Sequence, residues 1–196
     1  LPIPAFTNIH IVIDTSSSMG IGATTADQQI VYNTTGGCAY ACHHTDKTDL
    51  ARNKGATLRI DVAKNAVVSA LKQIISSGNA TRFQVSVWTM STQFNNVFPL
   101  SNKLSNAVTT VQALDITDSA KDGGTNTTYS LQTLGNSLNT DGNGLTSATA
   151  QGFVMLITDG VQDSDMKVKS GSSWVDGYDS NFSPYSPCST PNCKSL

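Results

Sequence analysis

The chain has 196 residues, 38% of them hydrophobic, which is enough for one folded domain with its own core. Only 13% of the residues are charged, and the formal net charge of −2 excludes nucleic acid as an expected partner, because no excess positive charge can hold a phosphate backbone. The acidic residues are all aspartates, so no Glu can serve as a catalytic acid, a base or the activator of a metal-bound water.

The first half of the chain predicts one strand, one insertion and one long helix. Nearly continuous β-branched residues over 9–13 predict a strand covered on both faces, and a polar loop beginning at Asp14 follows it. No sustained period occurs over 21–56, where we predict a long insertion. Helical spacing then runs from Leu58 to Ile75, with Thr57 as the predicted N-cap.

The second half alternates strands and helices. We predict strands over 83–88, 94–100 and 153–157, the last of them fully buried, and helices over 104–114 and 128–138. Such alternation indicates an α/β fold, with a central, mostly parallel sheet flanked by helices. We assign the whole of 1–196 to one domain.

The composition and the chain start suggest a compartment. The longest apolar run is too short for a transmembrane helix, so we expect this segment to be soluble, with any membrane anchor lying upstream of it. The chain begins at Leu1 without a Met, and its first residues show no signal-peptide pattern, which indicates a processed or cut chain. Low charge, many Ser, Thr and Asn residues and paired cysteines favour an oxidising compartment.

Three oxygen-bearing side chains leave the first strand at alternate positions, in the pattern Asp14-x-Ser16-x-Ser18. A curved loop can aim all three at one point, at the end of a strand, where ligands bind in open α/β sheets. Two further oxygens are available from other loops, since Thr125 follows a Gly-Gly turn and Asp159 follows the predicted strand at 153–157. Hydroxyls with few carboxylates suit a hard cation such as Mg²⁺ or Mn²⁺.

These motifs together resemble the von Willebrand factor A domain over nearly the whole chain. The resemblance implies a Rossmann-like fold and a complete metal-ion-dependent adhesion site at Asp14, Ser16, Ser18, Thr125 and Asp159. It further implies a bound Mg²⁺, or else Mn²⁺ or Ca²⁺, whose coordination is completed by an Asp or Glu of a protein partner. Thr127 competes with Thr125, which is favoured because Ser130 and Leu131 follow it at the family's spacing.

A narrower resemblance involves the loop and the insertion. Residues 14–20 and 37–43 are similar to the von Willebrand A region of the TadG-type pilus-assembly proteins of the bacterial tight-adherence (Tad/Flp) system. This implies a place in the bacterial cell envelope, in the periplasm or at the cell surface, in assembling or attaching a pilus. Cys193 and Lys194 resemble residues that precede the last core strand of that group, so we expect the final strand and helix to be missing.

The cysteines fall into two close pairs. We predict one disulfide between Cys38 and Cys42, stapling the insertion, and another between Cys188 and Cys193. A structural zinc site formed by the first pair with His43 and His44 is an alternative, because the ligand types and their number are right although the spacing is not standard. Free thiols are a third possibility.

We therefore expect a metal-dependent protein-binding module and not an enzyme. One alternative is a structural scaffold whose metal only stabilises the fold. A metal-dependent hydrolase is another, but its motif loops contain no His or Glu to serve as general base. The plainest alternative is that the Ser and Thr residues cap turns and helices, while Asp14 and Asp159 accept backbone hydrogen bonds.

Overall fold

A mixed four-stranded sheet forms the centre of the protein, in the strand order β3-β2-β1-β4. The computed structural model describes residues 5–37, 45–117, 125–138, 142–159, 167–170 and 173–176. The strands are β1 (Thr7–Asp14), β2 (Phe83–Met90), β3 (Phe94–Ser101) and β4 (Gln151–Ile157). β1 pairs in parallel with β2 and β4, and β3 is antiparallel to β2. The predicted α/β fold is thus confirmed.

Helices cover the two faces of the sheet. They are α1 (Thr25–Thr35), α2 (Thr45–Asn53), α3 (Arg59–Ser76), α4 (Leu104–Ala113) and α5 (Thr127–Ser137). The larger core lies between the sheet and α3 and α4, with Ile11 and Ile13 of β1 facing it. Val12 faces the other way and packs with Leu134 of α5. This alternation follows from the two-residue period of a strand. None of the described helices is long and apolar enough to span a membrane.

The start of α3 differs from the prediction by one residue. Leu58 is the N-cap, not Thr57, and α3 begins at Arg59. The carboxylate of Asp61 accepts a hydrogen bond from the Leu58 backbone N–H at 3.0 Å. Because this acidic side chain satisfies an N–H of the first turn, the helix start needs no Ser or Thr.

The insertion over 21–56 is more regular than predicted, since it contains α1 and α2. Thr24 and Asp27 form a capping box at the start of α1, and Gly36 ends the helix with a φ of 78°. The sequence does not predict α1 because the helix has no regular apolar face: Val31 is its only buried residue. All four cysteines lie outside the described residues, so the predicted disulfides, including the staple of the insertion, stay predictions.

β4 is not the fully buried strand that its apolar sequence predicts. Its side chains from Phe153 to Leu156 are between 37% and 50% exposed. β4 pairs with β1 on one side, and no other described strand pairs with it. An apolar run thus identified the strand but not its place at the edge of this sheet. A separate antiparallel hairpin is formed by β5 (Lys167–Ser170) and β6 (Ser173–Asp176).

Candidate functional site

The carboxyl ends of β1 and β4 bring Asp14 next to the residues that follow β4. The two strands are parallel and in register, with Ile13 opposite Ile157. Asp14 is fully buried. Its Oδ1 accepts a hydrogen bond from the Ser16 backbone N–H at 2.8 Å, and its Oδ2 accepts one from the Thr158 hydroxyl at 2.6 Å. Both strand ends therefore hold this carboxylate in one orientation.

Opposing influences act on the charge of Asp14. Burial raises the pKa of Asp14 above its ordinary value, and the hydrogen bonds from Ser16 and Thr158 offset part of that rise. The negative charge of Asp159 raises the pKa further. Because the Thr158 hydroxyl bonds to Asp14, the adjacent Asp159 also lies near that carboxylate, and a cation held by both would relieve the repulsion between them.

The two serines of the motif also lie together. The hydroxyl oxygens of Ser16 and Ser18 are 3.0 Å apart. Ser16 is buried. It directly precedes a short 3₁₀ helix, Ser17–Gly20, which contains Ser18. Because each hydroxyl oxygen has two lone pairs, this pair retains acceptor capacity beyond the single hydrogen bond between them.

Backbone contacts connect Thr125 with the same edge of the sheet. Thr125 is buried, and the N–H of the next residue, Asn126, donates to the carbonyl oxygen of Ser91 at 2.9 Å. Ser91 directly follows β2, and the carbonyl oxygen of Met90 accepts a hydrogen bond from the backbone N–H of Thr15 at 2.8 Å. Two backbone hydrogen bonds and one peptide step therefore connect the start of α5 with the loop after β1.

The competing threonine has a different environment. Thr127 is the first residue of α5 and is half-buried, whereas Thr125 is 1% exposed and precedes the N-cap Asn126. The side chain of Asn126 accepts a hydrogen bond from the Tyr129 backbone N–H at 2.9 Å and so fixes the start of the helix. The Gly123-Gly124 turn lies outside the described residues.

Asp159 has two differently engaged oxygens. Its Oδ2 accepts a charge-assisted hydrogen bond from Arg59 Nη1 at 2.9 Å, and its side chain is only 8% exposed. Its Oδ1 is buried and has no hydrogen-bond partner in the structure as described. A buried carboxylate oxygen without a partner is costly. The unpartnered Oδ1 therefore fits a position that a cation would complete.

The donor set also fits a hard cation. Over the described part of the chain, no three His, Cys or Asp side chains cluster in a way that could hold a metal ion. A cation at this edge would therefore rely on two carboxylates supplemented by hydroxyl oxygens. Such an oxygen set suits Mg²⁺ or Mn²⁺ and disfavours ions that prefer nitrogen or sulfur.

Two residues with direct contacts to the predicted ligands were missed in the sequence. Thr158 lies next to Asp159 in the motif, and its position alone could have suggested that its hydroxyl reaches Asp14. Arg59 lies 100 residues before Asp159 and gives no local signal in the sequence. Only the tertiary fold, which brings the start of α3 close to the residues that follow β4, joins this pair.

Comparisons with known proteins identify the family. The family model of the von Willebrand factor type A domain matches residues 60–175, a range that contains Thr125 and Asp159 and begins after the Asp14 loop. No curated protein matches the chain.

Two solved structures resemble this fold at low sequence identity. One is described as the conserved hypothetical protein BatB from Bacteroides thetaiotaomicron, with 12% identity, a TM-score of 0.42 and coverage of 69% of this chain and 47% of that chain. The other is the PilB minor pilin from Streptococcus sanguinis, with 19% identity, a TM-score of 0.44 and coverage of 81% of this chain and 31% of that chain. This chain thus spans less than half the length of either protein.

The family match covers more than half of the chain, and the α/β fold agrees with it. The chain therefore belongs to the von Willebrand factor type A domain family.

Proposed function

We propose that this domain is a metal-dependent protein-binding module. In this proposal Asp14, Ser16, Ser18, Thr125 and Asp159 hold one Mg²⁺, with Asp159 acting either directly or through a bound water. The observation that carries it is the buried, unpartnered Oδ1 of Asp159, in the residue directly after the Thr158 that bonds to the buried Asp14. Mn²⁺ and Ca²⁺ are the alternative ions for the same oxygen set.

Open coordination supports a role in binding an acidic partner. Two carboxylates and neutral hydroxyls leave a divalent cation with open coordination and with affinity for a further anionic oxygen. A carboxylate from an Asp or Glu of another protein supplies that oxygen. The cation itself would supply Lewis acidity, and the protein residues would hold it at the carboxyl ends of the strands.

The neighbourhood of the site favours binding over catalysis. A hydrolase that activates a metal-bound water needs a general base near the ion. Of the described residues only His10 is a histidine, and it lies four positions before Asp14, with its Nδ1 bonded to the Ser86 hydroxyl at 2.8 Å. It is therefore occupied away from the strand ends.

The cellular role that we propose is narrower. The likeness of the Asp14 loop and the insertion to TadG-type proteins supports a place in the bacterial cell envelope, in assembling or attaching a Tad/Flp pilus. Under this proposal the chain reaches the membrane only through an anchor outside the given sequence, and it binds no nucleic acid.

Metal binding is tested by isothermal titration calorimetry of the chelator-treated protein with Mg²⁺, Mn²⁺ and Ca²⁺. We expect saturable binding of Mg²⁺ or Mn²⁺ that Asp14→Asn and Thr125→Ala abolish. Thr127→Ala is the matched control, because it removes a hydroxyl of the same kind two residues after Thr125 and should leave cation binding intact. Absence of cation binding by the native chain would refute the proposal.

A second titration separates the binding module from a structural scaffold. It measures the Mg²⁺ dissociation constant with and without a short peptide that contains Asp, and the matched control peptide has Asn at that position. If the carboxylate completes the ion, the Asp peptide tightens Mg²⁺ binding, and Mg²⁺ tightens peptide binding by the same factor. A scaffold whose metal only stabilises the fold predicts a higher melting temperature with Mg²⁺ and no coupling to either peptide.

A further inference from the structure

We propose that Arg59 is a built-in counter-charge of the cation site, and that it weakens Mg²⁺ binding so that the bound ion keeps its attraction for an acidic partner. The inference rests on the proposed function and deepens it, because it assigns a residue that tunes the same site.

The contact itself is between charged groups of unequal exposure. Arg59 Nη1 lies 2.9 Å from Asp159 Oδ2, and the side chains are 39% and 8% exposed respectively. Oδ2 of Asp159 is thus bound to the Arg59 guanidinium, while Oδ1 is buried without a hydrogen-bond partner. Asp159 is therefore shared between Arg59 and whatever completes Oδ1.

The backbone holds Arg59 close to the motif loop. The Arg59 N–H donates to the Ile21 carbonyl oxygen at 2.9 Å, one residue after the 3₁₀ helix that contains Ser18. Gly22 and Leu58 form an isolated antiparallel bridge beside this contact. Because the start of α3 is fixed to the loop, the guanidinium stays near Asp159 when a cation enters.

The expected effect of Arg59 on the cation is repulsion. With Arg59 the site offers a divalent ion one net negative charge, from two carboxylates and one guanidinium, whereas without Arg59 it offers two. The guanidinium also withdraws Asp159 Oδ2 from the ion. Both effects lower cation affinity in a partly buried site, where charges are weakly screened.

The same charge has the opposite effect on an acidic partner. With Mg²⁺ bound, the two carboxylates, the guanidinium and the ion carry one net positive charge, and without Arg59 they carry none. An incoming carboxylate is therefore attracted more strongly when Arg59 is present. A tuning residue of this kind predicts effects of opposite sign on the two affinities, whereas a merely structural residue predicts weaker binding of both.

The test measures the Mg²⁺ dissociation constant of the metal-free protein by calorimetry. We expect Arg59→Gln and Arg59→Met to bind Mg²⁺ about tenfold more tightly than the native chain, within the range usual for coupled sites, and Arg59→Lys to bind with nearly native affinity because it keeps the charge. Arg59→Met also retains an apolar stem and serves where Arg59→Gln folds poorly. Arg82→Gln is the matched control, since Arg82 is exposed and precedes β2, at the opposite end of the sheet.

A second readout is thermal unfolding of the metal-free and Mg²⁺-loaded proteins. Neutral variants leave two repelling carboxylates uncompensated, so Mg²⁺ should raise the melting temperature more for Arg59→Gln than for the native chain. Suppose that the native chain binds Mg²⁺ through Asp14 but the neutral Arg59 variants bind it equally or more weakly. The proposed role of Arg59 is then refuted, while the proposed metal-binding function is retained. If neither the native chain nor any Arg59 variant binds Mg²⁺, both proposals fail.

Discussion

Arg52 connects three parts of the chain, and its replacement is the sharpest test of how the insertion is held. Its guanidinium makes a paired contact with Asp115, with Nη1 and Nη2 2.7 and 2.8 Å from the two carboxylate oxygens. Its Nε lies 3.1 Å from Asp61 Oδ2, whose carboxylate also caps α3. The three side chains are between 21% and 29% exposed. Arg52→Gln removes the shared cation and leaves both partly buried aspartates without their charged partner.

The size of the loss follows from this burial. Removing one partner of a buried ion pair costs about 3–5 kcal/mol, whereas an exposed pair contributes about 0–1 kcal/mol. A network that is mostly but not fully buried lies between these limits, and we expect the free energy of unfolding to fall by about 2 kcal/mol. For a domain of this size each kcal/mol lowers the melting temperature by about 2–4 °C, so the expected decrease is about 4–8 °C.

The assay is thermal unfolding at pH 7, with Arg82→Gln as the control because it removes an exposed guanidinium. A change of less than about 1 °C for Arg52→Gln, or a change equal to that of Arg82→Gln, would refute this account of the network.

The pH dependence provides an independent check. Burial alone would raise the pKa of Asp115, but hydrogen bonds from Arg52 and the Ile116 backbone outweigh it and lower the pKa. A carboxylate with a lowered pKa stabilises the fold above its ordinary pKa of about 3.9, and this contribution is lost as the pH falls through the lowered value. The difference between the native chain and Arg52→Gln should thus be constant from pH 8 to about pH 5 and shrink in more acidic solution.

Two further predictions concern packing and pH. Gly22→Ala places a methyl group 2.4 Å from the backbone nitrogen of Gln28 and should lower stability by about 1–3 kcal/mol, whereas Gly135→Ala in α5 meets no atom within 4 Å and should raise it by about 0.5–1 kcal/mol. Chemical denaturation measures both, and a Gly22→Ala protein of native stability would contradict the packing. Burial lowers the pKa of His10, so neutral His10 stabilises the fold above its ordinary pKa of about 6.5, and the chain loses that contribution as the pH falls. His10→Gln should therefore lose less stability than the native chain between pH 7 and pH 5, and equal losses would show that His10 does not titrate in this way.

Periodicity predicted the elements that bury a regular apolar pattern. β1 and α3 were found from their apolar residues because each presents a long, continuous face to the core. α1 was not found, since one buried residue gives no readable period. The exposure of β4 was not predictable either, because an apolar run specifies a strand and leaves open which neighbours cover it.

The residues of the candidate site also divide into those that the sequence can predict and those that it cannot. Motif spacing brought Asp14, Ser16 and Ser18 together, since a short loop after a strand determines their neighbourhood. Asp159 could be joined to them because parallel strands end at one edge of a sheet. Arg59 could not, because its contact with Asp159 depends on how α3 docks.

The insertion and the motif loop form one connected structure through the segment that follows α4. Asp115 binds Arg52 of the insertion, and two residues later the Thr117 backbone N–H donates to the carbonyl oxygen of Thr15 at 2.7 Å. The hydroxyls of Thr15 and Thr117 lie 3.1 Å apart. At the other end of the loop, a Cβ placed on Gly20 would lie 3.4 Å from the Thr48 side chain of α2. The segment that follows α4 therefore binds the insertion through Asp115 and the motif loop through Thr117, so the insertion supports the loop indirectly, whether or not it contacts a partner.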